Sequence, residues 1–226
     1  MSFVDTCIQD SLPIWEQCLN FPFLQKLEKG TLDPACFLGY IVDDSLYLRE
    51  YAKVFAWGMT KAETMADIRT CYSLLSFVNE GEDSTRLYYL RRYGVKDEEV
   101  QNLPQRQANK AYTDCMLEAA KHGGMAECMM ACLPCMLSYG WIFQKLLRRS
   151  PSVQDTPYWP LVRDYAGEGY EKACQTWADA AEQICANLPL ERKEACLQIF
   201  RECSLHELNF WEMSDQPITD ISIRGS

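Results

Sequence analysis

Apolar residues recur at three- and four-residue steps along most of the chain, and no stretch alternates apolar and polar residues one by one. That spacing lines one face of a helix rather than one face of a strand. It predicts helices over 3–19, 22–29, 34–60, 64–93, 105–122, 125–149, 157–165, 168–187 and 190–213. Local signals support several ends. Asp33-Pro34 reads as an N-cap followed by proline at the first helical position, while Gly94 and Gly123-Gly124 read as stops. With no hairpin signal between these segments, the predicted fold class is all-α.

No repeat, low-complexity block or long linker divides the pattern, so a single-domain helical bundle over 1–213 is expected. The tail 214–226, SDQPITDISIRGS, offers little to bury and is expected to be mobile; its final Arg-Gly-Ser reads as a cloning remnant.

Composition narrows the function. The chain has 226 residues, 48% of them hydrophobic, enough for a core of its own. Its formal charge of −10 comes from scattered acids, which repel phosphate backbones and anionic lipid, so neither nucleic acid nor membrane is an expected partner. The opening MSFVDTCIQDS lacks a basic segment followed by an apolar one, and a cytoplasmic location is expected. The longest uncharged run, Cys128 to Phe143, is short for a membrane span and contains Pro134; a buried helix accounts for it. Twelve cysteines in a chain of this length and expected location read as free thiols packed as small hydrophobes.

Polar groups interrupt three apolar stripes. On the helix from Pro34, the stripe Phe37, Tyr40, Asp44, Tyr47, Tyr51, Phe55 contains an acid. Asp43 should point to another face and be solvated. On the last helix, Phe200, Cys203, Glu207, Phe210 and Trp211 repeat the anomaly. A carboxylate among aromatic rings either finds a partner or has its pKa raised by desolvation, which is how a general acid stays protonated near neutrality. A structural hydrogen bond to a neighbouring helix, or an edge position reaching water, is the plainer account of each.

The third stripe, Cys128, Cys132, Cys135 and Tyr139, runs along one face of the helix holding Cys132-Leu-Pro-Cys135. A redox Cys-x-x-Cys pair needs a strand leading into a helix N-terminus, where the helix end stabilises the thiolate; here the pair lies inside a helix. Pro134 should disturb the bond to the carbonyl of Met130 and kink the helix. Metal readings lack ligands. A closed zinc site needs four, His206-Glu207 has no second histidine of zincin spacing, and two histidines in the chain are too few for a di-iron bundle.

Taken together, DDSLYLREYAKVFA, Tyr112 in KAYTDCM, LPCMLSY, YAGEGY with Tyr165, and HELNFW resemble, in order, the motifs of the TenA family, also called thiaminase II or aminopyrimidine aminohydrolase. FPFLQKLEKGTL is similar to the family's opening segment. The resemblance implies a haem-oxygenase-like all-α fold, a homotetramer, and hydrolysis in thiamin salvage without a cofactor or metal. Haem oxygenases themselves need an early proximal histidine, and none precedes His122. The implied substrates are 4-amino-5-aminomethyl-2-methylpyrimidine, which loses ammonia, and thiamin, which loses its thiazole; both give the hydroxymethylpyrimidine. Cysteine at 135 matches the cysteine-type branch. The resemblance makes Cys135 the nucleophile and Glu207 the proton carrier, gives Asp44 the orientation of the substrate, and assigns ring contacts to Tyr47, Tyr112, Tyr139 and Tyr165. Two features depart from the family pattern: Asp43-Asp44 stands where Gln-Asp is frequent, and EGEDSTRLYY contains no histidine. The competing readings are a non-catalytic helical protein that binds a small heterocycle or acts as a regulator, and a redox sensor built on Cys132 and Cys135.

Overall fold

The computed structural model describes residues 2–224, with the side chains of 77–84 set aside. The Glu-Gly-Glu-Asp-Ser part of the histidine-free stretch and the final Gly-Ser therefore lie outside the described residues. Among the described residues ten α-helices follow one another: α1 Phe3–Leu19, α2 Pro22–Glu28, α3 Pro34–Lys61, α4 Met65–Arg92, α5 Asp97–Gln101, α6 Gln107–His122, α7 Met125–Arg149, α8 Trp159–Ala166, α9 Glu168–Cys185 and α10 Leu190–Ser214. A 3-10 turn at Pro151–Asp155 precedes α8, and no strand occurs among the described residues. The all-α prediction holds. The pattern misses α5 and the 3-10 turn, since five residues are too few to display a helical period.

The ends form for the expected reasons. Ser2 and Asp5 make a reciprocal capping box on α1, with both bonds at 3.0 Å. Asp33 accepts from the Ala35 N–H at 2.8 Å and Pro34 takes the first position of α3. Gly94, at φ +68°, occupies the left-handed position just beyond α4 that side chains avoid.

α7 runs through the middle of the bundle and packs against α1, α3, α6, α8, α9 and α10. It is long and apolar enough to cross a membrane, but 89% of its most apolar window is buried inside the protein, so this apolarity is that of a core helix. Pro134 sits within α7 without ending it, and Cys128 and Cys132 are buried beside it. All twelve cysteines are free thiols.

α3 departs most from a simple stripe. Every residue from Cys36 to Tyr47 is buried, on all sides of the helix. α4, α6, α7 and α10 surround it. The segment after α10 closes in as well: a Cβ on Gly39 would meet the Ile218 backbone nitrogen and the Arg106 guanidinium, each at 3.3 Å. The expectation that Asp43 is solvated is therefore overturned. Asp43 is 1% exposed and accepts from Arg106, with Nε at 2.7 Å. Arg106 also donates to the carbonyls of Met213 and Gln216, so one guanidinium joins α3, the start of α6 and the end of α10.

Where the sequence predicts a mobile tail, Ile221 is buried, the Arg224 N–H donates to the Tyr93 carbonyl at 2.8 Å, and its guanidinium pairs with Glu99. Apolar Ile218 and Ile221 give this segment more to bury than its polar average suggests.

Candidate active site

Helices α3, α6, α7 and α10 each send polar groups into one buried cluster. Its centre is Glu207 of α10, 2% exposed. The Tyr112 hydroxyl of α6 donates to Glu207 Oε1 at 2.7 Å, and the Cys135 thiol of α7 hydrogen-bonds to the same carboxylate. Tyr47 of α3 packs against Tyr112 with ring centroids 5.0 Å apart and donates to Met116 Sδ at 3.5 Å. Tyr139, one turn beyond Cys135, packs on Trp211 at 5.1 Å. Tyr165 of α8 stands edge-on to Tyr139 at 5.0 Å and stacks on Phe143.

Burial sets the electrostatics. It pushes the Glu207 carboxyl up to about 7; the Tyr112 and Cys135 hydrogen bonds pull it back, and the charge of Asp44 adds to the rise. Asp44 is likewise raised to about 7, first by burial, with Arg86 opposing and Asp43 contributing. The hydroxyls of Tyr47, Tyr112 and Tyr139 are pushed well above their ordinary value by burial, so they act here as neutral donors.

Cys135, Glu207, Tyr112 and Tyr47 thus meet directly. Asp44 joins through its field on Glu207 and Tyr139, and Tyr165 forms the outer wall behind Tyr139. Cys132, one turn from Cys135, is fully buried and its carbonyl accepts from the Tyr51 hydroxyl at 3.0 Å. Sequence reasoning misses Arg86 and Met116. Arg86 is 7% exposed and donates to Ser45 Oγ at 3.2 Å and to Asp97 at 2.5 Å. Helix spacing alone does not aim Arg86 at α3, and Arg91 and Arg92 on the same helix give it no distinction in the sequence. No group of three or more His, Cys, Asp or Glu side chains among the described residues is arranged to hold a metal ion.

The all-α bundle thus gathers a half-buried thiol, two buried acids and several tyrosines between its central helices. The chain belongs to the TENA/THI-4/PQQC family, whose model matches residues 8–216. A protein named aminopyrimidine aminohydrolase from Helicobacter pylori is 32% identical over 92% of this chain and 96% of its own length. An uncharacterized protein from Haemophilus influenzae is 31% identical over 93% and 97%. Among solved structures, one described as a TenA family transcription regulator from Silicibacter sp. superposes with a TM-score of 0.85 at 23% identity, covering 95% of this chain and 97% of that one. At that identity the likeness establishes the fold.

Proposed function

We propose that this protein is an aminopyrimidine aminohydrolase that uses Cys135 as nucleophile and releases a hydroxymethylpyrimidine from an aminomethylpyrimidine or from thiamin. The observation that carries this reading is the contact between a partly exposed thiol and a buried carboxyl whose pKa lies near neutrality. A thiol beside such an acid can lose its proton as it attacks and recover it later, without a fixed cation. The relatives named aminopyrimidine aminohydrolase support the substrate class.

In the proposed sequence, the Cys135 sulfur adds to an electron-poor ring carbon while Glu207 takes the thiol proton. Glu207 then gives that proton to the departing amine, which leaves as ammonia when the exocyclic carbon–nitrogen bond breaks; the thiazolium of thiamin already carries a positive charge and leaves as neutral thiazole without it. Water adds to the methylene carbon so exposed, and cleavage of the carbon–sulfur bond restores the aromatic ring and the thiol. Asp44 holds the amino-pyrimidine edge, and Tyr47, Tyr112, Tyr139 and Tyr165 enclose the ring. We also take the domain over 1–213 to be catalytic as a cytoplasmic homotetramer; sedimentation of the purified protein tests the assembly.

The deciding experiment supplies aminomethylpyrimidine and thiamin separately and follows the common product. Turnover of either that disappears in Cys135→Ser supports the assignment. Binding of both with turnover of neither would favour a non-catalytic heterocycle-binding protein.

A further inference from the structure

The thiols differ sharply in access and surroundings. Only Cys115, Cys135 and Cys174 are partly exposed; the others are buried. Cys135 faces Glu207, and Cys174 is pushed up to about 12 by burial. Cys115 goes the other way: Cys203 and then His206 hold its thiol down to about 5 against the effect of burial. This accessible thiol lies outside the chemistry proposed above.

Its setting is a three-residue cluster across the packed faces of α6 and α10. Cys115 is one turn beyond Tyr112 on α6, while Cys203 and His206 lie on the turn of α10 that leads to Glu207. The His206 ring stacks on Tyr112 at 5.4 Å with the planes 9° apart. Its Nδ1 is buried without a hydrogen-bond partner. Cys203 is 0% exposed, so an oxidant arriving from solvent meets Cys115 first.

We propose that Cys115 is a modification site for hydroperoxides and that Cys203 is its resolving thiol, giving a Cys115–Cys203 disulfide that joins α6 to α10. The Cys115 thiolate attacks a peroxide oxygen; the oxygen–oxygen bond breaks, sulfur becomes a sulfenic acid, and the other oxygen leaves as hydroxide or alkoxide. The Cys203 sulfur then displaces the sulfenic oxygen. That oxygen leaves as water, carrying one proton of its own and the one from Cys203, for which the free Nδ1 of His206 offers a relay. The peroxide is reduced by two electrons and the two thiols are oxidised by two. The lowered Cys115 pKa raises the thiolate fraction available for the first step.

The bond would form one turn from the Tyr112–Glu207 hydrogen bond and on the same two helices, so it should shift that contact and lower turnover. This consequence alone rests on the proposed function. The test treats the full chain with about one equivalent of hydrogen peroxide, blocks free thiols with iodoacetamide, and maps cross-linked peptides by mass spectrometry. The expected product is the Cys115–Cys203 linkage, reversed by dithiothreitol and absent in Cys115→Ser. Cys203→Ala should stop Cys115 at the sulfenic acid, trappable with dimedone, and His206→Asn should slow linkage about tenfold. Because Cys115 is partly exposed, its serine variant is expected to fold, and circular dichroism verifies this for each variant. Oxidation of Cys135 or Cys174 ahead of Cys115, or over-oxidation of Cys115 with Cys203 still free, would overturn the proposal. Linkage mapping needs no activity, so it stands or falls separately from the hydrolase reading.

Discussion

Asp43 and Asp44 are adjacent on α3, both are buried, and burial raises the carboxyl of each, yet their partners differ. Asp43 receives the guanidinium of Arg106 directly, and the Asn109 side chain donates to its carbonyl at 2.7 Å. Asp44 has Arg86 in its field, yet burial and the neighbouring acid outweigh that charge and leave its carboxyl near 7. The first arrangement fastens helices together. The second keeps a proton in play at neutral pH, as the proposed reaction requires. α7 repeats the contrast in thiols, with Cys128 and Cys132 shut into the core while Cys135 reaches Glu207.

The strongest test of that contrast is along α7. Cys135→Ser should lower kcat by at least about a thousandfold, because a hydroxyl is far harder to deprotonate and adds poorly to a ring. Cys128→Ser and Cys132→Ser should retain most activity once correctly folded. Steady-state kinetics on the three purified variants checks this, and equal inactivation of a folded Cys132→Ser would return the dithiol reading.

Glu207→Gln comes next, with a loss of about a hundredfold to a thousandfold in kcat expected from removing the proton carrier. Its stability should move the other way. A carboxyl raised from 4.5 to about 7 in the folded state contributes most below its unfolded pKa, and that contribution is lost as pH rises through about 7. Glutamine has no such loss. The variant should therefore gain on the wild type by up to about 3 kcal/mol at pH 8 and by little at pH 5. Urea melts at the two pH values give the comparison.

Breaking the structural pair should cost stability instead. Arg106→Met strands Asp43 in the core, an expected loss of about 3 kcal/mol or more. Asp43→Asn added to that background should restore part of it, by removing the uncompensated charge. Asp44→Asn alone should leave the fold as stable or more so at pH 8, while weakening substrate binding. Thermal melts of these variants decide whether the two neighbours differ as argued; a loss on Asp44→Asn as large as that on Arg106→Met would erase the distinction.

The candidate site is more legible in the sequence than the scaffold around it. Asp44, Glu207 and Cys135 were visible because each interrupts or joins an aromatic stripe, and helical spacing carries that information locally. Asp43 was misread because a stripe argument assumes one wet face, whereas α3 is enclosed on every side from Cys36 to Tyr47. Its partner Arg106 lies far along the chain, on the residue before α6, and no local spacing links the two. The Cys115, Cys203 and His206 cluster was hidden for the same reason. Its members come from α6 and α10, and only the packing of those helices makes them neighbours.

The smallest expected effect is also the most specific. Tyr112→Phe removes the 2.7 Å hydrogen bond to Glu207 Oε1 while keeping the ring between Tyr47 and His206. Little packing is lost, so kcat at the optimum should fall only several-fold and stability by about 1 kcal/mol. The informative change is in pH dependence. That hydrogen bond favours the ionised carboxylate and holds the Glu207 pKa down, so its removal must raise the pKa further. If ionised Glu207 accepts the thiol proton of Cys135, activity rises with pH as the acid group deprotonates, and its acidic limb must move to higher pH in the variant. A pH profile of kcat/KM for wild type and Tyr112→Phe measures the displacement directly. An acidic limb that stays in place, with kcat merely scaled down, would assign that limb to Asp44 or to the substrate and leave Glu207 without the role of first proton acceptor.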